Sequence, residues 1–165
     1  MNLYSQVVES LNFYKVSYDV NIAIKKDSVK NIVCKNRRQE APLYELIPEI
    51  PVLIYKYSDH SCAPCFEKDI KATATCFAGV EDNVILLCEA HSERNLRQYL
   101  RTNHLNFTVL AMPPNSFTWE IENHSNRYFF IMYPNGKLSD VFIPDKDNAE
   151  LTVEYLESVK CLLTN

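Results

Sequence analysis

The stretch Pro51-Val52-Leu53-Ile54-Tyr55-Lys56-Tyr57-Ser58-Asp59-His60-Ser61-Cys62-Ala63-Pro64-Cys65 decides how this chain is read. Its opening residues, Pro51 to Tyr57, put apolar side chains on both faces of an extended strand. Such a strand belongs at the centre of a sheet covered on both sides. Ser58 to Ser61 are polar and form a loop. Pro64 suits the first turn of a helix, where its missing N–H costs little. That helix is expected from about Cys62 to Phe77. Strand, loop and helix together set a dithiol at a helix N-terminus. Unpaired N–H groups there stabilise a thiolate at Cys62 and lower its pKa. Cys65, one turn later, is placed to attack a mixed disulfide formed at Cys62.

Working outward, Asn83 to Ala90 reads as another buried strand. Ser92 is the expected N-cap of a helix to about Thr102, and Phe107 to Met112 a short strand. Tyr128 to Tyr133 and Lys137 to Ile143 form an antiparallel hairpin around Pro134-Asn135-Gly136. Residues 147–163 are the last helix, with Leu151, Tyr155, Leu156, Val159 and Leu163 on one face. Upstream, Leu3, Val7, Leu11 and Tyr14 give a helix over 2–14, and 18–25 alternates as a strand. Residues 29–34 read as a second short strand, Arg37 to Pro42 as a polar turn, and Leu43 to Ile47 as one helical turn. This order implies an α/β fold, a central mixed β-sheet flanked by helices, with an N-terminal helix and strand extension. The 165 residues are expected to form a single domain, 1–42 as the extension and 43–165 as the core.

Composition narrows the function. A hydrophobic share of 47% excludes a disordered chain. The net charge of −4, with Lys35, Arg37 and Arg38 as the nearest thing to a basic cluster, gives no nucleic-acid footprint. With 2 glycines there is no Gly-rich phosphate loop. No Gly-x-Ser-x-Gly elbow supports a hydrolase. No run approaches the roughly 20 apolar residues of a membrane span. No positive segment followed by an apolar run marks a signal peptide, which leaves the cytoplasm, or export with the signal removed. Of the 6 cysteines, Cys34, Cys76, Cys88 and Cys161 sit in apolar runs and read as small buried hydrophobes.

Cys62-Ala63-Pro64-Cys65 after its strand, with the downstream hairpin through Asn135-Gly136, resembles the thioredoxin superfamily. Pro42-Leu43-Tyr44-Glu45-Leu46-Ile47 before the dithiol resembles exported, peroxiredoxin-like thiol-disulfide oxidoreductases of bacteria. Tyr128-Phe129-Phe130 and Val141-Phe142-Ile143-Pro144-Asp145-Lys146 are similar to envelope thioredoxin-like proteins of Bacteroides-type bacteria. The resemblance covers about 43–163. It implies a thioredoxin-like fold and thiol-disulfide exchange with a disulfide or dithiol of a protein partner. It implies no bound cofactor, no nucleic acid, and a place in the periplasm or cell envelope. Cys62 and Cys65 are then the catalytic pair.

Three residues depart from the superfamily pattern. The loop before the hairpin, which faces the dithiol and binds substrate backbone, usually carries a cis-proline. That position falls on Arg127 or, one residue on, Tyr128. A cis bond to a non-proline costs about 2.5–4 kcal/mol, so a trans loop is expected. Arg127 there is expected to attract an acidic substrate segment and help hold Cys62 as thiolate. The Trp that usually precedes the first cysteine is Ser61. The buried acid often found on the preceding strand is replaced by Lys56, which favours a thiolate only if it points at the sulfurs. His60, two residues before Cys62, is either a tuner of the thiol or a solvent-facing loop residue. Asp59 opposes a thiolate if close, and Glu67 and Lys68 read as surface charges. Ala63 and Pro64 complete the loop.

Two alternatives stay open. Cys62, Cys65, Cys88 and His91 have a spacing compatible with structural zinc. Loss of the loop proline and of the Trp also suits a non-catalytic binding module. A peroxidase is unsupported, because no Pro-x-x-x-Thr-x-x-Cys pattern occurs.

Overall fold

A computed structural model describes residues 32–58, 62–117, 119–123 and 125–164. The expected helix over 2–14, the strand over 18–25, residues 29–31, and Asp59, His60 and Ser61 lie outside the described residues. The elements are β1 (Val33–Lys35), β2 (Glu40–Pro42), α1 (Leu43–Leu46), β3 (Val52–Tyr57), α2 (Ala63–Cys76) and β4 (Val84–Glu89). After these come α3 (Glu93–Thr102), β5 (Thr108–Met112), β6 (Arg127–Met132), β7 (Leu138–Phe142) and α4 (Ala149–Thr164).

The strands form one seven-stranded mixed sheet in the order β2-β1-β5-β4-β3-β6-β7. β3, β4 and β5 are parallel, and α2 and α3 are the crossovers between them. β6 runs antiparallel to β3, with Tyr57 opposite Arg127 and Lys56 opposite Tyr128. The strand that leads to the dithiol therefore lies inside the sheet, between β4 and β6, as its two apolar faces require.

Period-two alternation sorts the strand residues into two cores. Leu53, Tyr55, Leu86, Phe129 and Ile131 pack against Phe66 and Ile70 of α2, Leu96 and Leu100 of α3, and Leu156 and Val159 of α4. Val52, Ile54, Leu87, Tyr128 and Phe130 face the other way, against Leu43 of α1 and against Phe117, Trp119 and Ile121. Among the described residues, the three long helices share one face. The opposite face is covered by α1 and the segment between β5 and β6.

Three details differ from the sequence reading. The turn after Lys35 spans only Asn36 to Gln39, because the Asn36 side chain accepts from the backbone N–H of Arg38 and Gln39. Residues 40–42, expected as turn, instead pair with β1. Part of the N-terminal extension is thus built into the sheet. Second, Ser92 stands at the start of α3 but its side chain caps nothing; the hydroxyl is buried without a partner. Third, Cys161 is exposed and Cys76 half-buried, whereas Cys34 and Cys88 are buried as expected.

The hairpin turn needs its glycine. Gly136 has φ +80°, in the left-handed region, while its N–H donates to Tyr133 O at 2.8 Å. Asn135 Oδ1 accepts from the N–H of Lys137 at 2.9 Å and completes the turn.

Candidate active site

The site is built where the C-terminal end of β3 meets the start of α2. Cys62 is the N-cap of α2, and Pro64 lies in its first turn. The N–H of Phe66 donates to Cys62 O at 3.0 Å, the first helical bond. The N–H of Cys65 reaches Cys62 Sγ at 3.3 Å. The same N–H also donates to Cys62 O at 3.0 Å. A sulfur that accepts from an N–H at a helix N-terminus is favoured as an anion. The two sulfurs are joined as a disulfide with Cα atoms 5.2 Å apart. Cys62 is exposed and Cys65 buried. Ala63 and Pro64 are exposed beside them, as are Glu67 and Lys68.

Behind Cys65 lies a polar cluster that the sequence reading missed. Asp69, four residues on along the same helix face, is buried. Its carboxylate accepts from Tyr55 Oη at 2.8 Å and forms an ion pair with Arg127 Nη1. Arg127 also donates through Nη2 to Pro144 O at 3.1 Å. Burial pushes the Asp69 carboxyl up, and the Arg127 guanidinium partly opposes this. Burial and the Asp69 charge hold Tyr55 well above its ordinary value, so it is a neutral donor. Cys65, Asp69 and Arg127 line one cavity of about 50 Å³.

The local signal for Asp69 was a carboxylate inside the apolar stripe of α2, between Phe66, Ile70 and Thr73. Its partner lies on β6, far away in the chain. Arg127 and Asp69 meet only because β6 pairs with β3 next to α2.

The other expected site residues separate into two groups. Arg127 is brought to the dithiol helix, but its guanidinium is buried and turned inward onto Asp69. Its expected role in attracting an acidic substrate segment is therefore corrected: an ion-paired, sealed guanidinium presents no such charge to a partner. No peptide bond among the described residues is cis, so those flanking Arg127 are trans. Lys56 and Tyr128 are not brought to α2. They point to the opposite sheet face, where Lys56 Nζ pairs with Glu122 at 2.7 Å and Tyr128 Oη also donates to Glu122. Lys56 is buried and its ammonium is matched by that carboxylate, not by a thiolate. Burial, with Glu122 adding to it, holds Tyr128 well above its ordinary value.

The zinc alternative is not assembled. Cys62 and Cys65 bond to each other, and Cys88 is buried in β4 with its thiol toward Leu110 O at 3.7 Å. His91 lies beside Glu89 at 3.5 Å. Among the described residues no group of three metal-binding side chains occurs, and no helix is long and apolar enough to cross a membrane.

The fold is thioredoxin-like. The structure is similar to a thiol:disulfide interchange protein from Bacteroides sp., at TM-score 0.57 and 9% identity, over 81% of this chain and 86% of that one. It is similar to a thioredoxin-like protein from Porphyromonas gingivalis, at TM-score 0.56 and 18% identity, over 81% of this chain and 90% of that one. No protein-family model matches the chain, and no curated protein is similar to it in sequence.

Proposed function

We propose that the chain is a thiol-disulfide oxidoreductase that exchanges disulfides with a protein partner through Cys62 and Cys65, without a bound cofactor. The observation that carries this reading is the exposed Cys62 at the N-terminus of α2, bonded to a buried Cys65. In the reduced pair, the Cys62 thiolate attacks one sulfur of a partner disulfide and expels the other as a thiolate. Cys65 then loses its proton, with the carboxylate of Asp69 that lines the same cavity as the acceptor, and attacks Cys62. The 62–65 bond forms and the partner leaves as a dithiol. The same steps run in reverse when the partner arrives as a dithiol. Arg127 and Tyr55 hold the Asp69 carboxylate in place; they act through it and not on the sulfurs.

The resemblance to bacterial envelope thioredoxin-like proteins supports a periplasmic or cell-envelope setting. The single-domain reading is supported by β1 and β2, which join the same sheet as the core strands.

Trapping tests the assignment. The Cys65→Ser variant should accumulate a mixed disulfide between Cys62 and a protein disulfide substrate, visible by mass. The Cys62→Ser variant should accumulate none. Equal trapping by the two variants would contradict the roles. No trapping by either would favour a binding module that does not exchange.

A further inference from the structure

The far end of α2 carries thiol chemistry that the exchange site does not use. α2 and α4 pack side by side. Beyond the small cavity at Cys65, their surfaces enclose a second, open cleft of about 610 Å³. Its walls include Cys76 and Cys161, from the last turns of α2 and α4. Neither is in a disulfide. Lys160 fixes the two turns together, its Nζ donating to Cys76 O at 2.7 Å. That bond satisfies a carbonyl at the end of α2 and brings the residue next to Cys161 onto the backbone of Cys76. Burial raises the Cys76 thiol; Lys160 opposes this, while Glu157 and Cys161 add to it, so the two thiols are within electrostatic reach. The remaining cysteines offer no such chemistry. Cys88 is sealed in β4, and burial pushes the Cys34 thiol up to about 12.

We propose that Cys76 and Cys161 are a second redox-active thiol pair, which a disulfide-bearing oxidant closes into a bond tying α4 to α2. Cys161 is the exposed member and reacts first. Its thiolate bonds to one sulfur of the oxidant, and the other sulfur leaves as a thiolate. Cys76 then attacks the Cys161 sulfur, forms the 76–161 bond and expels the second thiolate. Two protein thiols lose two electrons and two protons, and the oxidant becomes two thiols. Closure requires the Cα atoms to come within roughly 4.4–6.8 Å. Both residues lie in terminal helical turns, where intrahelical bonds run out and local opening costs little. The bond would clamp the end of α2 remote from Cys62 and Cys65. This inference does not rest on the exchange function proposed above.

The test exposes the reduced full chain to oxidised glutathione, followed by thiol blocking in acid and peptide mapping. Cleavage after Glu81 separates Cys76 from Cys88, and cleavage after Lys160 isolates Cys161. The expected product is a peptide pair joined through Cys76 and Cys161, lighter than the sum of its parts by two hydrogens. The Cys76→Ser variant should stop at a glutathione adduct on Cys161. The inference is overturned if the unaltered chain keeps that adduct without forming the 76–161 bond. It is equally overturned if Cys161 bonds only to a second copy, or if both thiols stay blockable while Cys62 and Cys65 oxidise.

Discussion

At the scale of residues, Arg127, where the resemblance led one to expect proline, is ion-paired with Asp69, a buried acid on α2. An acid held above its ordinary value by burial is a better proton acceptor from a thiol near neutral pH. Asp69→Asn should therefore slow Cys65's attack on a Cys62 mixed disulfide by about 100-fold, a typical general-base contribution. Stopped-flow release of the partner across pH checks this, and a rate unchanged by the substitution would remove Asp69 from the mechanism. The same shift sets a sign for stability. Asp69 has a raised folded pKa, so its stabilising contribution is complete below the unfolded value of about 3.9. It is lost as pH rises through the raised folded value. Urea unfolding of the wild type should show this fall, and Asp69→Asn should lack it. Removing the cation alone leaves a buried, unmatched carboxylate, so Arg127→Met should cost about 3–5 kcal/mol. The double variant Asp69→Leu/Arg127→Met should recover much of that loss, because no charge is then stranded. Purely additive losses would show that the pair is not coupled.

At the scale of elements, what was legible depended on whether the signal was local. β3, β4 and the β6–β7 hairpin announce themselves by continuous apolar runs and by Asn135-Gly136. Dithiol and Pro64 mark the start of α2. β2 was missed because Glu40 to Pro42 carries no strand pattern of its own; its conformation comes from pairing with β1. Ser92 looked like a cap because capping is usually local, yet α3 begins with that hydroxyl buried. Lys56 was placed on the correct strand, but alternation turns it to the face away from α2, toward Glu122. Arg127 was singled out and Asp69 was not, and their meeting was illegible because only sheet pairing brings them together. The hairpin gives a control at this scale. Gly136→Ala should lower stability by about 1–2 kcal/mol, since its φ of +80° is one that L side chains rarely adopt. Thermal unfolding would measure this, and the exchange rate of the dithiol should be unaffected.

At the scale of the molecule, three helices share the sheet face on which Asp69 and Tyr55 are buried, and Cys62 is exposed. α2 presents Cys62 to solvent at its N-terminus and keeps Cys65 against the core. The exchange proposed above requires that asymmetry, whereas a structural bridge needs neither sulfur to be reached. Equilibration of the chain in defined thiol–disulfide buffers, with acid quenching and alkylation of Cys62 and Cys65, tests the central claim most directly. The account predicts a reversible two-electron transition with a potential between about −270 and −120 mV, the span of working oxidoreductase dithiols. A 62–65 bond that stays closed until the buffer falls below about −300 mV would contradict it and mark a structural disulfide.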